Sequence, residues 1–264
     1  MRLAWATDVH LNFLPKRGIA AFGGELSAQR PDAVLITGDL SEAPELEAHL
    51  RQLAEALPCP LYFVLGNHDF YRGSLRAVRA RMRELPREGR ARWLPALGVV
   101  PLTHDAALVG VDGWADGRYG AWEASQVLLN DYVFIEELSG LTKARRLEVL
   151  RATAQAEAEA LRPVLSEALE RFPVVYVATH VPPFREACWY EGRISNDDWL
   201  PHFTCKAVGE VLLEGARASP GRQLQVLCGH THGEGSAQPL PNLRVLTGGA
   251  EYGHPKLAGF FEID

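Results

Sequence analysis

The amino-acid sequence predicts a mixed α/β fold built in layers. Short apolar runs rich in β-branched residues alternate along the chain with longer helical patterns. The 264 residues can bury a substantial core, and 47% hydrophobic with 23% charged residues is the balance of an ordinary globular protein. Because no internal repeat or Pro/Gly/Ser-rich linker divides the chain, we expect one domain over 1–264.

The order of the elements indicates how they pair. Nine apolar runs predict strands at 3–7, 33–37, 61–65, 99–103, 107–111, 174–178, 224–228, 243–247 and 258–262. Five helical patterns lie at 17–29, 43–56, 74–85, 139–170 and 205–217. The early β-α-β-α-β order favours parallel strands covered by helices, whereas the later strands follow one another closely and favour antiparallel pairing.

Two long segments, 112–138 and 181–204, interrupt this pattern and are predicted to be irregular. Irregular segments of that length in a compact domain are usually functional rims or mobile loops. We therefore expect substrate selection there. Seven of their residues are candidate contacts for a leaving group, because aromatic rings can stack on a base and arginine can meet a phosphate. They are Arg118, Tyr119, Arg185, Trp189, Tyr190, Asn196 and Asp197; each could equally be a packed or exposed loop residue.

Charge, cysteines and hydropathy exclude several classes of protein. A net charge of −6 argues against an extended surface for a polyanion. The four cysteines, Cys59, Cys188, Cys205 and Cys228, form no C-x-x-C pair, so we expect reduced, structural thiols rather than a disulfide framework. No apolar run approaches the roughly 18 residues that cross a bilayer. The sequence thus predicts a cytoplasmic protein without a membrane partner.

Five motifs each follow the end of a predicted strand, where α/β sheets bind their ligands. The motifs are Asp8-Val9-His10, Gly38-Asp39, Gly66-Asn67-His68-Asp69, Thr179-His180 and Gly229-His230-Thr231-His232. In extended chain, residues i and i+2 point to the same side. Asp8 with His10, and His230 with His232, are therefore expected to face one centre without any special turn.

The donor types predict a metal centre with two ions. Carboxylate, amide and imidazole donors without thiolates suit Mn, Fe, Zn, Ni or Co. Seven candidate ligands are too many for one ion that must also accept water and substrate; they are Asp8, His10, Asp39, Asn67, His180, His230 and His232. Asp39 is expected to bridge ions about 3.5–4 Å apart, a separation that can hold a hydroxide and clamp a phosphoryl group. His254, in a glycine-rich stretch, is placed outside this centre.

The ordered pattern D-x-H, G-D, G-N-H-D, H and G-H-x-H, running from Asp8 to His232, resembles the calcineurin-like metallophosphoesterases. The resemblance implies a four-layer αββα sandwich with two mixed β-sheets flanked by helices. It also implies two ligand sets. One metal would be held by Asp8, His10, Asp39 and His232, and the other by Asp39, Asn67, His180 and His230.

The resemblance further identifies His68 as the catalytic histidine that is not a ligand. As a general acid it would protonate the leaving oxygen or stabilise the transition state. The neighbouring Asp69 is predicted to orient the ring and keep it protonated. The alternative for Asp69 is the N-cap or first-turn acid of the helix that follows near Ser74.

Departures from subfamily patterns narrow the predicted reaction. The G-D motif continues as Leu40-Ser41-Glu42, so it lacks both the tyrosine of purple acid phosphatases and the V-D-R-G of Ser/Thr protein phosphatases. The pattern is more similar to a group that includes cyclic-nucleotide and glycerophosphodiester phosphodiesterases and repair nucleases. We predict a phosphodiesterase that hydrolyses a small diester by attack of a metal-bridging hydroxide.

Two alternatives stay open. A nuclease is favoured by a basic stripe at helical spacing, formed by Arg72, Arg76, Arg79, Arg83, Arg87 and Arg90, which could follow a phosphate backbone. The negative net charge instead favours a solvated helix face, so nucleic acid is the less favoured partner. A non-catalytic scaffold of the same fold, like the retromer subunit of this family, has low weight because all seven donors and His68 are present.

Overall fold

Two β-sheets lie face to face between layers of helices in the computed structural model, which describes residues 1–86 and 89–264. The strands are β1 (Arg2–Ala6), β2 (Ala33–Thr37), β3 (Leu61–Val64), β4 (Ala91–Trp93), β5 (Val100–Pro101), β6 (Ala106–Gly110), β7 (Val174–Ala178), β8 (Trp189–Tyr190), β9 (Arg193–Ile194), β10 (Gln223–Cys228), β11 (Gly235–Leu240), β12 (Leu243–Thr247) and β13 (Leu257–Glu262). The helices are α1 (Lys16–Ala28), α2 (Leu46–Glu55), α3 (Leu75–Arg83), α4 (Asp131–Phe134), α5 (Lys143–Arg171), α6 (Leu200–Phe203) and α7 (Lys206–Ala218).

Both large sheets are mixed. The first has the order β13-β1-β2-β3-β4, in which β1 to β4 are parallel and β13 is antiparallel to β1. The second has the order β11-β12-β10-β7-β6-β5, in which the four central strands are parallel and both edge strands are antiparallel. The predicted αββα sandwich is confirmed.

Alternating side chains divide the core into layers. Leu3 and Trp5 of β1 face the second sheet and pack with Leu108 and Tyr176 in an inter-sheet cluster. The residues between them along the strands face outward and join the apolar sides of the flanking helices. This two-residue period is what a strand with both faces buried requires. The sandwich is thus fixed by which face each strand residue occupies.

The five predicted helices are present, with ends shifted by at most four residues. Four strands escaped prediction: β4, β8, β9 and β11. These strands are short or polar, and β11 is an edge strand that contains Pro239. They form because neighbouring strands pair with them, and no apolar pattern in the sequence marks them. The segments 112–138 and 181–204 are also less irregular than predicted, because they contain α4, α6 and the β8–β9 hairpin.

The predicted basic stripe is wrong as a continuous helical surface. Helix α3 ends at Arg83, so Arg90 lies beyond it, and Arg87 lies outside the described residues. Arg79 turns inward, with its side chain 17% exposed. Arg72 pairs with Glu42 at 3.2 Å. Acidic residues therefore neutralise two of the arginines that the helical spacing predicted to face solvent.

Arg79 instead belongs to a buried ion network that joins the two halves of the sandwich. Its Nε lies 3.1 Å from Asp112 Oδ2, and its terminal nitrogen lies 2.5 Å from Glu157 Oε1. The other Asp112 oxygen accepts hydrogen bonds from Leu65 N–H at 2.9 Å and Trp93 Nε1 at 2.8 Å. Burial raises the pKa of Glu157 to about 7, and the Arg79 guanidinium is the foremost of the groups that oppose this rise. This one cation thus connects helix α3 with helix α5 and with the loop that follows β6.

Replacing Arg79 by leucine is expected to lower the free energy of unfolding by about 3–5 kcal/mol, because two buried carboxylates lose their cation. Urea denaturation of the variant and wild type measures the difference. Arg76→Leu is the matched control: Arg76 is exposed on the same helix, and its change should stay within about 0.5 kcal/mol. Equal midpoints for Arg79→Leu and wild type would contradict the structural role of the network.

Among the described residues, none of the helices combines the length and apolar character needed to cross a bilayer.

Candidate metal centre

The carboxyl ends of β1, β2, β3, β7 and β10 meet at one edge of the sandwich. The backbone itself ties the following loops together in pairs. Asp8 N–H donates to Gly38 O at 3.1 Å, and Gly229 N–H donates to His180 O at 2.9 Å. His230 N–H donates to the Asp8 carboxylate at 3.1 Å, which links the loops of the two sheets. Five distant sequence motifs thereby form one site.

The loops reach this arrangement through left-handed backbone. Five predicted ligands have positive φ: Asp8, His10, Asp39, His230 and His232. Such conformations cost non-glycine residues about 1–3 kcal/mol each and gather at functional sites. The expectation that the two i, i+2 pairs face the centre in ordinary extended chain is therefore wrong. Each of these donors is aimed by a strained turn.

Two glycines allow the loops to approach each other closely. A Cβ at Gly66 would lie 2.2 Å from Asp39 Oδ1. A Cβ at Gly38, whose φ is +91°, would lie 2.3 Å from His180 Nδ1. Any side chain at either position would displace a predicted ligand.

One donor set consists of Asp8, His10, Asp39 and His232, whose ligand atoms all lie within 4.8 Å of one another. His10 Nε2 and His232 Nε2 are 3.1 Å apart, and His232 Nε2 is 3.5 Å from Asp8 Oδ1. Donors around one ion at about 2.0–2.2 Å have comparable separations. The chemistry and spacing of this set fit a metal ion.

A second donor set lies on the other side of Asp39. His180 Nε2 is 3.1 Å from Asn67 Oδ1 and 3.4 Å from Asp39 Oδ1, and the His230 ring packs edge-on against His180 with centroids 5.0 Å apart. The other Asp39 oxygen faces His10 Nε2 at 3.8 Å. The structure thus brings together all seven side chains that the sequence predicts as ligands, and Asp39 lies between the two sets.

His230 is held with one ring nitrogen available for a metal. Its Nε2 lies 3.1 Å from the carbonyl oxygen of His202, which can only accept, so Nε2 carries the proton and Nδ1 keeps its lone pair. The His202 ring is itself fixed by Ser125 Oγ at 3.0 Å and by the Tyr132 hydroxyl. Nothing in the sequence pattern had marked His202, because its contribution to the centre is a backbone carbonyl.

Burial and the shared carboxylate give the imidazoles different affinities for protons. Burial lowers the pKa of His10 and of His230 to about 3. Burial also opposes charge on His180, but the Asp39 and Asp8 carboxylates outweigh it and raise the pKa of His180 to about 10. Burial works against the charge on Asp39 as well, yet the surrounding histidines hold the pKa of its carboxyl well below the usual range. His180 and Asp39 thus form a buried ion pair within the centre.

Metal binding at the second set is expected to release the His180 proton, because only a neutral imidazole binds a metal. The pKa of about 10 lies above neutral pH, so affinity for this ion should fall about tenfold for each unit of decreasing pH. Metal analysis after dialysis from about pH 8 to about pH 4 should show loss of metal, with the second ion leaving first. Two ions per chain at the acidic end would contradict this expectation.

His68 lies beside both donor sets without belonging to the four-donor cluster. Its backbone N–H donates to Asp39 Oδ1 at 2.8 Å, and its ring Nε2 lies 4.0 Å from Asp39 Oδ2. The ring stacks on Tyr71 with centroids 4.2 Å apart and planes 28° apart, and its side chain is 15% exposed. The imidazole is therefore fixed in orientation and open to solvent at one edge.

Asp69 has a different contact from the predicted one. Its oxygens accept hydrogen bonds from Ser41 N–H and Gly66 N–H, both at 2.8 Å. Both oxygens thus face backbone amides rather than the His68 ring, and Asp69 joins the loops after β2 and β3. The cap of α3 is Ser74, whose Oγ accepts from Ala77 N–H at 3.0 Å. Asp69 shapes the site through the backbone of these loops.

Asp131 and Tyr71 support Asn67, and the sequence had marked neither. Asn67 Nδ2 donates to Asp131 Oδ1 at 2.8 Å, and the Tyr71 hydroxyl donates to the same oxygen at 2.7 Å. The carboxylate can only accept, so it turns the amide nitrogen away and presents Asn67 Oδ1 toward His180. Asp131 lies in the segment 112–138, where no sequence motif indicates a function. Its role becomes visible only in its contacts with Asn67 and Tyr71.

Replacing Asp131 by leucine should weaken metal binding at the second set about 10- to 100-fold, because leucine has no oxygen that can accept from the Asn67 amide and fix its orientation. Competition titration with a chelating dye measures the affinity of each ion. Tyr71→Phe is the matched control, since it removes the hydroxyl that contacts Asp131 and Asn67 but leaves the Asp131 carboxylate to hold the amide. Unchanged affinity in Asp131→Leu would show that Asn67 needs no such support.

The charged residues predicted to contact substrate have partners within the chain. Arg118 Nη1 lies 3.3 Å from Asp116 Oδ2, and Arg185 lies 2.7 Å from Asp197 Oδ1. Asn196 Oδ1 accepts from the backbone N–H of Asp198 at 3.1 Å, within a loop turn. These contacts stabilise the loops in which the residues lie, and a contact with substrate stays a prediction.

The three aromatic candidates lie in different settings. Trp189 packs on Gly235 and donates from Nε1 to Ser236 O at 3.2 Å, which anchors the β8–β9 hairpin next to the loop after His232. Tyr190 on the same hairpin is exposed. Tyr119 is half-buried, with Lys206 Nζ 5.8 Å from its ring centroid. For these three residues as well, a role in substrate binding stays a prediction.

Comparison with known families gives one match over most of the chain. The model of the family described as calcineurin-like phosphoesterase matches residues 1–234. This range contains every motif of the two donor sets.

One curated relative matches a shorter segment. A probable cyclic nucleotide phosphodiesterase of Synechococcus sp. is 36% identical over 80 residues, which are 26% of this chain and 31% of the relative. The match thus spans about a third of the relative's length.

Solved structures share the fold at low identity. A phosphopantetheinyl hydrolase of Mycobacterium tuberculosis superposes with a TM-score of 0.67 at 16% identity, over 94% of this chain and 89% of that one. A dimetal phosphatase of Danio rerio superposes with a TM-score of 0.59 at 14% identity, over 94% and 87%. At such identities the likeness establishes the architecture, which agrees with the two sheets described above.

Proposed function

We propose that this chain, which belongs to the calcineurin-like phosphoesterase family, is a metal-dependent phosphoric ester hydrolase that acts on a small phosphate diester with two metal ions. The observation that carries the proposal is the position of Asp39. One of its oxygens faces His180 and the other faces His10, and the His68 ring lies beside it. A carboxylate shared between two donor sets is suited to a pair of ions.

In this proposal the first ion would be held by Asp8, His10, Asp39 and His232, and the second by Asp39, Asn67, His180 and His230. When bound, the two ions would neutralise phosphate charge and lower the pKa of the water molecule that they activate. Mn, Fe, Zn, Ni and Co all suit these donors. Proton donation to the leaving oxygen would come from a residue of the chain itself.

His68 is the proton donor for the leaving oxygen. It is the histidine of the centre that lies outside both donor sets, and Tyr71 fixes its ring by stacking. Its Nε2 lies 4.0 Å from Asp39 Oδ2, so the ring that would give up the proton stands next to the carboxylate shared by the two donor sets. Asp69 supports this geometry indirectly, by joining the loops that carry Asp39 and His68.

The charges of the loops support a diester rather than a monoester. A monoester carries a second negative charge that calls for an additional cation. The two arginines predicted to meet a phosphate, Arg118 and Arg185, are paired with Asp116 and Asp197. A singly charged diester is therefore the better match to the loops, in agreement with the name of the Synechococcus relative.

Turnover of two esters with the same leaving group tests the proposal. The manganese-loaded protein is assayed with bis(4-nitrophenyl) phosphate and with 4-nitrophenyl phosphate, and metal content is measured in the same samples. The diester is expected to have a kcat/KM at least about tenfold higher, equivalent to about 1.4 kcal/mol in the transition state. A preference for the monoester would overturn the proposal. Absence of turnover with two bound ions would instead favour a non-catalytic scaffold.

A panel of natural diesters then distinguishes substrate classes. It contains cyclic nucleotides, phospholipid head-group diesters and single-stranded DNA. The proposal expects a small diester to be hydrolysed with the highest kcat/KM. The nuclease alternative expects DNA to be favoured, with binding that weakens steeply as salt increases.

A further inference from the structure

We infer that Phe13 and Tyr252 form a binding surface for a planar aromatic group on the leaving alcohol of the ester, such as a nucleobase or an aryl ring. The inference rests on the proposed hydrolysis of a phosphate ester at the metal centre. It extends that proposal by naming the chemistry of the organic group. Neither residue belongs to the motifs of the donor sets, and neither lies in the two segments where the sequence predicts substrate contacts.

Tyr252 lies over the first donor set while staying in contact with solvent. Its ring centroid is 4.4 Å from that of His10 and 4.7 Å from that of His232. The residue is nevertheless 47% exposed. The segment that carries it is held to the ligand loop by the hydrogen bond from Ala250 N–H to His232 O at 3.2 Å. The ring is thus attached to the metal centre with part of its surface free.

Phe13 extends this aromatic surface from the other side. It ends the short 3-10 helix Leu11–Phe13 directly after His10, and its N–H donates to His10 O at 3.0 Å. Its ring centroid is 5.0 Å from that of Tyr252, with the planes 60° apart, and the residue is 53% exposed. A single exposed apolar residue is ordinary. Two aromatic rings in contact with each other beside candidate metal ligands form a larger exposed apolar surface, and a bound ligand would remove that surface from water.

The position of the proton donor directs the leaving group toward these rings. The His68 ring is 4.6 Å from His10 and 6.1 Å from Tyr252. A leaving oxygen that accepts a proton from His68 therefore brings the first atoms of its alcohol next to the Tyr252 ring. The leaving group, rather than the part of the diester that stays on phosphorus, is the part that meets Phe13 and Tyr252.

The geometry of the pair favours a flat ring over a flexible chain. The two ring planes lie at 60° with centroids 5.0 Å apart, so together they offer one face and one edge to a third ring. Aromatic rings associate face to face with an offset, or edge to face, at centroid separations of about 4.5–7 Å. Stacking accepts every base, because every base has a π-face. An acyl chain would gain only from apolar contact, so planarity is the property to test.

Calorimetric titration of the manganese-loaded protein with phosphonates tests planarity without turnover, since a C–P bond is not hydrolysed by phosphoester chemistry. Phenylphosphonate and cyclohexylphosphonate share the anionic head and ring size but differ in planarity. We expect phenylphosphonate to bind about tenfold more tightly, which corresponds to about 1.4 kcal/mol. Tyr252→Leu and Phe13→Leu should each reduce this ratio toward one. Tyr252→Phe, which keeps the ring, should preserve it.

Unchanged metal content and thermal midpoint show that each variant is folded. Equal binding of the two phosphonates by the wild type, or a ratio that survives in the double leucine variant, would overturn the inference while leaving the metal centre intact. Absence of binding by either phosphonate, with the nitrophenyl diester still hydrolysed, would overturn the inference and leave the proposed function standing; absence of both would overturn the two together. A second pair of ligands, adenosine 5′-phosphate and ribose 5-phosphate, identifies the source of the aromatic ring. Tighter binding of the nucleotide indicates a nucleobase. Equal binding of this pair, with the preference for phenylphosphonate retained, indicates an aryl alcohol.

Discussion

Replacing Asp39 by asparagine is expected to remove both metal ions and abolish hydrolysis. The two carboxylate oxygens face different donor sets, so the loss of one negative charge weakens both at once. Removing a supporting contact from a metal site costs up to about 100-fold in affinity, and loss of a shared ligand should exceed that at each set. Metal analysis and kcat/KM for the nitrophenyl diester measure the two effects in the same samples.

Asparagine is nearly isosteric and keeps an oxygen that can accept from the His68 backbone N–H, so the loop is expected to fold. Asp105→Asn is the matched control, because it removes an exposed carboxylate far from the centre along the chain and should change neither metal content nor turnover. An Asp39→Asn protein with two ions and ordinary turnover would show that the carboxylate is not shared.

Replacing His68 by alanine is expected to separate catalysis from metal binding. Both ions should remain, whereas kcat should fall about 10²- to 10⁴-fold, the range that general acid catalysis contributes. The loss should be smaller for a nitrophenolate leaving group than for a simple alkoxide, because nitrophenolate departs without a proton. Comparison of kcat for a nitrophenyl and an alkyl diester measures this difference.

His104→Ala is the control for the His68 variant, since the His104 side chain is 97% exposed and lies outside the centre. Normal turnover by a metal-loaded His68→Ala protein would remove the proposed acid role. An equal loss for both leaving groups would instead indicate that His68 acts on the phosphoryl group and not on the leaving oxygen.

The sequence predicts the α/β layering and the convergence of the seven donors because both depend on local pattern. A buried strand followed by a glycine and a polar ligand is visible in a single stretch of chain, as at Gly38-Asp39 and Gly66-Asn67. Parallel strands bring such ends to one edge of a sheet, so the position of the donors follows from the fold class. The architecture and the candidate centre were therefore accessible together.

The conformation of the ligand loops was not accessible in this way. The i, i+2 spacing of Asp8 and His10 is equally compatible with extended and with left-handed backbone. The left-handed form is imposed by hydrogen bonds from neighbouring loops, such as that from His10 N–H to Asp39 O at 2.9 Å. Local spacing contains no information about these partners.

Residues that act through a partner were missed or misplaced for the same reason. Asp131 matters because Asn67 donates to it across 64 positions of sequence, and Arg79 leaves the predicted basic surface because Asp112 and Glu157 lie beneath it. Helical spacing shows which residues share a face but not which acids that face meets. Such contacts belong to tertiary structure.

Anomalous diffraction from crystals grown with manganese tests most directly whether this chain holds a pair of ions about one aspartate. Two peaks are expected, roughly 3.5–4 Å apart, with Asp39 in contact with both. The first should lie among Asp8, His10 and His232, and the second among Asn67, His180 and His230. A single peak at full metal saturation, or two peaks of which Asp39 touches only one, would contradict the account.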